Sequence, residues 1–197
     1  MKPTLHFIGT GTPETRGQLN EGGFILQTNY ALLWIDPGPG TSQCKLKLRQ
    51  PDACIVTSHE RGHDADLINA KENVTESKKV ASVELIKKES GWKIKTPDGT
   101  ISYITGKIKL IDTKQYAADT IIFFAHGQEE EIITKLKPKL TILTGHTKEL
   151  LKRGPLYFAR ELQKKTKVQT IAAQDNTTVD LNTYSGTAEQ KGLAKFG

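Results

Sequence analysis

The densest group of chemically capable side chains in the sequence is Ser58-His59-Glu60-Arg61-Gly62-His63-Asp64. Imidazole nitrogens and carboxylates are the usual donors to zinc and its neighbours, so His59, His63 and Asp64 form a candidate ligand group. Arg61 cannot join them, because a guanidinium stays protonated and has no lone pair to give. A Ser-His-Asp nucleophile built from Ser58, His59 and Asp64 fails on geometry, since adjacent side chains on a strand point to opposite faces. Asp36 is left at the end of another apolar run, just ahead of Pro37-Gly38-Pro39-Gly40. From there it can either orient the backbone of the site loop or contact a ligand.

Such groups need strands that end beside one another. Residues 4–9 (TLHFIG) and 24–35 (FILQTNYALLWI) read as strands, the second stretch folding into a hairpin at Thr28-Asn29-Tyr30. Between them lies TGTPETRGQLNEGG, whose four glycines and one proline make it long for a passive connection and a candidate site loop. Its glycines lack the Lys-Ser/Thr of a phosphate-binding P-loop and serve as turn formers. Pro37 and Gly38 stop the strand before them, because proline lacks the ladder donor and glycine permits a sharp turn. Residues 41–50 read as a short helix, and Ala53–Thr57 as a buried strand that delivers Ser58 and the histidines into a loop. That is how metal sites are built on α/β scaffolds.

From residue 80 to 125 the pattern is mostly strand: VASVELIKK, GWKIKT, ISYI, KIKLID and DTIIFFA, with a hairpin turn at Pro97-Asp98-Gly99. The last third changes character. Glu129–Leu136 reads as helix, Leu140–Thr144 as strand, Pro155–Thr166 as a helix with proline in its first turn, and Val168–Ala173 as a closing strand. The order is β-α-β-α-β, and the polar segment from Asn182 reads as a tail.

Composition sets the frame. With 197 residues, 36% hydrophobic and 25% charged, the chain suits one globular core that is economical with apolar side chains. No apolar run approaches the roughly 20 residues that cross a bilayer, and the first residues lack the pattern of a secretory signal, so a cytoplasmic protein without membrane contact is expected. Cys44 and Cys54 are too few for a disulfide framework and read as small buried apolar residues. The net charge of +6 comes from 28 Lys and Arg against 22 Asp and Glu, in local groups such as Lys78/Lys79 and Lys87/Lys88. These read as solvated surface, or as a field that attracts nucleic acid; no arginine-aromatic stripe accompanies them.

The stretches FIGTGTPETRG, LLWIDPGPG, CIVTSHERGHDADL, GTISYI, LTILTGH and IAAQDNTTVDL follow in that order over nearly the whole chain. Together they resemble the metallo-β-lactamase superfamily, most closely its ribonuclease Z-like and phosphodiesterase branch. The resemblance implies an α/β fold, a four-layer αββα sandwich spanning residues 1–181, followed by the tail 182–197. Its site would lie at strand ends between the two sheets. In active members a His-x-His-x-Asp-His loop, a later histidine, a bridging aspartate and a final histidine hold two metal ions, often zinc.

Position by position, this sequence departs from that set. His59 matches the first histidine, but Arg61 stands at the second. Without a gap, His63 and Asp64 occupy the Asp-His pair in swapped order; with one residue deleted, His63 takes the final histidine and Asp66-Leu67 follow it. The later histidine is absent before Ser90-Gly91-Trp92. At the end of Ile101–Thr105, where the bridging aspartate belongs, the sequence has Gly106-Lys107, with Asp112 as a more distant substitute. His146 matches the final histidine. The resemblance thus implies that His59, His63, Asp64 and His146 would hold a single zinc, manganese or iron ion, and that a dinuclear site is not expected. Asp36, His63 and Asp64 are the catalytic candidates. Arg61 and Lys107 put positive charge where metals would lie and would form an anion subsite. His126, beyond Ile121–Ala125, is either a strand-end cap or a recruited ligand, while His6 has no such support. Asp175-Asn176 matches a structural turn. Three functions follow: a binding or regulatory module for nucleotide or nucleic acid, a single-metal hydrolase of phosphodiester or related bonds, or a homodimer that completes a site in trans.

Overall fold

The computed structural model describes residues 3–39, 49–57 and 70–184 of the 197. Residues 41–48 of the helix expected over 41–50 and the loop bearing His59, Arg61, His63 and Asp64 fall outside the described residues, as does Cys44; Arg49 and Gln50 are described and are not helical.

Two sheets carry the fold. The first takes Thr4–Phe7 (β1), Phe24–Gln27 (β2), Leu32–Ile35 (β3), Ala53–Ile55 (β4), Asn73–Val74 (β5) and, from far along the chain, Thr177–Asp180 (β13). Their order is β13-β1-β2-β3-β4-β5, with β1 to β3 antiparallel in sequence and β3, β4 and β5 parallel. The β2–β3 hairpin closes as expected. Thr28 makes the turn, its hydroxyl accepting the N–H groups of Tyr30 at 3.0 Å and Ala31 at 2.9 Å.

The second sheet takes Lys78–Val80 (β6), Val83–Lys88 (β7), Gly91–Thr96 (β8), Gly99–Ile104 (β9), Thr120–Phe124 (β10), Leu140–Thr144 (β11) and Gln169–Ala172 (β12). Its order is β12-β11-β10-β9-β8-β7-β6, a meander from β6 to β9 continued by parallel strands β9 to β12. Helices Glu129–Leu136 (α1), Lys148–Arg153 (α2) and Pro155–Thr166 (α3) make the connections. Lys137 and Lys167, both left-handed, end α1 and α3.

Burial follows this layering. Phe7, Phe24, Leu33, Leu85, Trp92 and Tyr103 lie among the core residues between the sheets, Phe24 meeting the edge of Tyr103 with ring centres 5.1 Å apart. Ile121, Phe123 and Leu143 on the second sheet's outer face pack against Ile132, Ile133 and Leu162 of the helices. On the first sheet's outer face Ile8, Ile25, Leu32, Trp34 and Cys54 form a third buried cluster. Among the described residues no helix is long and apolar enough to cross a membrane.

Two strand expectations are corrected. VASVELIKK is not one strand: Ala81 takes a φ of 50° and folds it into the β6–β7 hairpin. KIKLID is not a strand either, and Leu110–Tyr116 winds as 3-10 helix instead. Its backbone finds side-chain partners: Ile108 N–H donates to Gln128 Oε1 at 2.9 Å, and Gln128 Nε2 donates to the Ile108 carbonyl at 3.1 Å. A segment whose polar groups are satisfied this way has no need of a sheet neighbour.

Candidate functional site at the strand ends

The parallel strands of both sheets end at a common edge. Gly11, beyond β1, forms a bridge with His146, beyond β11, and the His146 N–H donates to the Thr10 carbonyl at 2.7 Å. Asp175, beyond β12, reinforces the junction. One of its oxygens accepts both the N–H and the hydroxyl of Thr10 at 2.8 Å, and the other accepts the Asn20 N–H at 2.6 Å. The glycine-threonine loop is therefore held between the sheets. Gly9 and Gly11 are required by closeness, since a Cβ there would sit 2.6 Å from the Asn20 carbonyl oxygen or 2.7 Å from the Thr15 hydroxyl.

Asp36 is 1% exposed, with a φ of 51°. Its carboxylate accepts the Thr57 N–H and hydroxyl, each at 2.7 Å, and so fixes the chain at the point where β4 runs on toward Ser58. Buried Cys54 lies close enough for the Asp36 charge to act on it; burial first, and that charge second, push its thiol up to about 12. Cys54 is thus the inert apolar residue expected of it.

His146 is 2% exposed. Gly145, with a φ of 62°, turns the chain so that His146 Nε2 lies 2.8 Å from the Ala173 carbonyl. A carbonyl can only accept, so Nε2 carries the proton and Nδ1 keeps its lone pair. Nδ1 has no hydrogen-bond partner among the described residues. Burial lowers the affinity of the ring for a second proton, more than the Ala173 carbonyl and the Asp175 charge raise it. The result is a neutral, oriented imidazole with one open donor atom, which suits a metal. Asp175 is committed to Thr10 and Asn20, and the described residues contain no group of three potential ligands. Of the expected ligand set, His146 is the member they include.

Lys107 lies beyond β9, and its side chain is exposed. Its carbonyl accepts the Ser90 hydroxyl at 2.8 Å, while the Ser90 N–H donates to the Tyr116 hydroxyl at 2.9 Å and the Thr105 N–H to the Ser90 carbonyl at 3.0 Å. The backbone that presents this ammonium group is therefore pinned on both sides. Asp112 sits in the 3-10 turn after it, beside Tyr116, rather than at the strand end.

His126 follows β10, and its backbone N–H donates to Glu129 Oε1 at 2.5 Å while its ring lies 6.1 Å from that of Phe123. Glu129, 2% exposed, also accepts the Gly127 N–H at 2.9 Å. The buried cap of this turn is thus Glu129, which the sequence did not single out. His6 bonds Thr178 and Gln27 across β13, β1 and β2, at 2.9 and 3.3 Å. Thr10, Asn20 and Thr57 also lacked a sequence signal, because their importance rests on which carboxylate reaches them.

No protein-family model and no curated protein matches the chain. Solved structures do. The chain is similar to the metallo-beta-lactamase fold protein YhfI from Bacillus subtilis, with a TM-score of 0.73 and 11% identity over 91% of this chain and 99% of that one. It is similar to a diphosphatase from the PhnP family, with a TM-score of 0.67 and 16% identity over 90% and 97% of the two chains. It is also similar to the short form of human tRNase Z, with a TM-score of 0.51 and 11% identity over 89% and 98%. At such identities the likeness establishes architecture: the chain has the metallo-β-lactamase fold.

Proposed function

We propose that this chain is a divergent metallo-β-lactamase-fold protein that binds phosphate groups of nucleotides or nucleic acid at its strand-end edge, without the usual dinuclear hydrolytic centre. The observation that carries this reading is the pinned, exposed Lys107 at the end of β9. A bridging carboxylate belongs there in the family that the sequence resembles. An ammonium group repels metal ions and attracts phosphate oxygens. Arg61 would add a second cation from the site loop. The neighbours named as a diphosphatase and a tRNase Z support phosphate esters as the ligand class.

Elemental analysis of protein purified without chelator, paired with calorimetric titration of nucleoside mono- and diphosphates, tests the proposal. The expected result is fewer than two ions per chain, with nucleotide affinity lowered about tenfold by Lys107→Ala, the weight of one charge-assisted hydrogen bond. Two ions per chain together with turnover of a phosphodiester would overturn it.

A second reading, a hydrolase with one zinc, manganese or iron ion, is favoured by the open Nδ1 of His146. His59, His63 and Asp64 would supply the remaining donors, and a bound ion would make water a nucleophile near neutral pH. One ion per chain and phosphodiester turnover, both lost in His146→Ala and His63→Ala, would select this reading.

A further inference from the structure

Among the described residues the helices cover only part of the second sheet. The apolar side chains that pack against them on its outer face come from β9 to β12, and none from β6 to β8. Register fixes what β6 to β8 present there. Lys79 pairs with Glu84, Glu84 with Lys95, and Ile86 with Lys93, and Lys88 follows Ile86 on the same side of β7. Val83, Leu85, Trp92 and Ile94 take the opposite, buried face.

This leaves Lys79, Lys88, Lys93 and Lys95 on one surface with Glu84 as the acid among them. Lys95 Nζ lies 3.0 Å from Glu84 Oε2, whereas Lys79, Lys88 and Lys93 have no acid partner among the described residues. Neighbouring Lys78 and Lys87 are already paired, with Glu72 and Glu76. Burial first, then the charges of Lys95 and Lys88, lower the proton affinity of Lys93, so Lys93 lies close enough to both to be repelled by them. A groove of about 690 Å³ opens at the end of this face where Lys79, Glu84 and Lys95 lie, lined also by Lys78, Leu85 and Ile86; Lys88 and Lys93 are outside its lining.

We infer that the outer face of β6 to β8 docks the phosphate backbone of a double-helical nucleic acid, with Lys79, Lys88 and Lys93 neutralising its phosphates. From Glu84 to Lys88 the face runs about 13 Å at the rise of a strand. A duplex carries one charge per ~1.7 Å of axis, so several phosphates fall within reach. The outward residues of β6 to β8 include no aromatic ring on which unpaired bases could stack, which disfavours a single strand. Half-buried Ile86 is their one large apolar side chain, too little for insertion into a membrane. Lys88 ends β7 beside Ser90, whose hydroxyl holds the Lys107 carbonyl, so the face runs on to the strand-end edge. The inference rests on the proposed phosphate-binding role for that continuity, and its surface is separate.

Fluorescence anisotropy of the full chain with a short blunt DNA duplex over a salt series tests it. Three neutralised phosphates predict a slope of about −2.7 in log affinity against log salt, reduced to about −0.9 in Lys88→Gln/Lys93→Gln. At low salt that variant should bind at least about tenfold more weakly. Lys88→Arg/Lys93→Arg should retain binding, and Lys148→Gln/Lys164→Gln, with the same charge loss on the helical side, should leave the slope unchanged. Equal slopes for the wild type and the Gln variant would overturn the proposal. So would tighter binding of the single strand, or lysine-dependent binding to phosphatidylserine vesicles without duplex binding. Nucleotide titration separates the two sites. In the wild type, nucleotide binding without any duplex binding removes this surface alone, and duplex binding without nucleotide binding removes the strand-end reading alone.

Discussion

At the scale of single residues, the candidate site depends on carboxylates that hold backbone rather than ligand. Asp175 joins loop residues 165 and 155 positions away, Thr10 and Asn20, through three hydrogen bonds. Hydrogen bonds to a charged group are worth about 1.5–3 kcal/mol each, and these three share one side chain that is partly exposed. Asp175→Ala is therefore expected to lower unfolding stability by about 2–4 kcal/mol in urea titrations. Native-state hydrogen exchange should locate the effect: the Thr10 and Asn20 amides lose protection while the Ile142 amide, in the middle of β11, keeps more of it. Uniform loss over the whole sheet would mean that Asp175 acts on global stability and not on the loop.

At the scale of elements, the ends of strands matter more than their middles. Gly145 makes the left-handed step between β11 and His146, and a Cβ there would lie 2.4 Å from the Phe124 ring. Gly127, with a φ of 94°, has nothing within 4 Å of that position. Gly127→Ala should thus cost only backbone strain, about 1 kcal/mol, while Gly145→Ala adds overpacking and should exceed about 2 kcal/mol. Thermal or urea melts of the two variants check the difference, and equal losses would contradict it. The elements that the sequence makes legible are those with their own local signals. Thr28 at a turn, Pro155 at a helix start and the apolar runs of β10 and β11 all match the structure. Elements defined by distant partners are not legible. β13 is a polar run with one buried residue, Val179, and becomes a strand because β1 lies beside it. α2 has only six residues, too few for helical periodicity to stand out. Residues 107–112 look like a strand by alternation, but the side chains of Ser90 and Gln128 claim the backbone of Lys107 and Ile108. Site residues divide the same way: Asp36, His146 and the Asp175 turn lie at positions that family resemblance picks out, whereas the partners of Asp175, Thr10 and Asn20, and the Glu129 cap depend on three-dimensional proximity.

At the scale of the molecule, the edge opposite the candidate site is closed by two further carboxylates, which make stability sensitive to acid. Asp52, ahead of β4, pairs first with Arg49 and also accepts from Lys71 and the Leu32 N–H at the start of β3; these hold its carboxyl below the usual range despite partial burial. Asp119, ahead of β10, is opposed by burial. Lys139 at 2.9 Å and the N–H and hydroxyl of Thr100, at 2.9 and 2.8 Å, outweigh that and hold it at about 2. Both carboxyls ionise more readily in the folded chain, so the unfolded chain binds more protons in acid and stability falls as pH falls. The contribution of Asp119 is complete above its unfolded value, near pH 3.8, and disappears as pH drops toward about 2. Since its side chain is 39% exposed, solvent screening reduces the effect to the order of 1 kcal/mol. Asp119→Asn should accordingly be less stable than the wild type by about that amount at neutral pH, and the two should converge near pH 2 in a series of urea titrations. A difference that stays constant down to pH 2 would assign the loss to packing instead of charge. Because Asp119 sits at the starts of the strands and Lys107 and His146 at their ends, nucleotide affinity at neutral pH should be the same in Asp119→Asn as in the wild type.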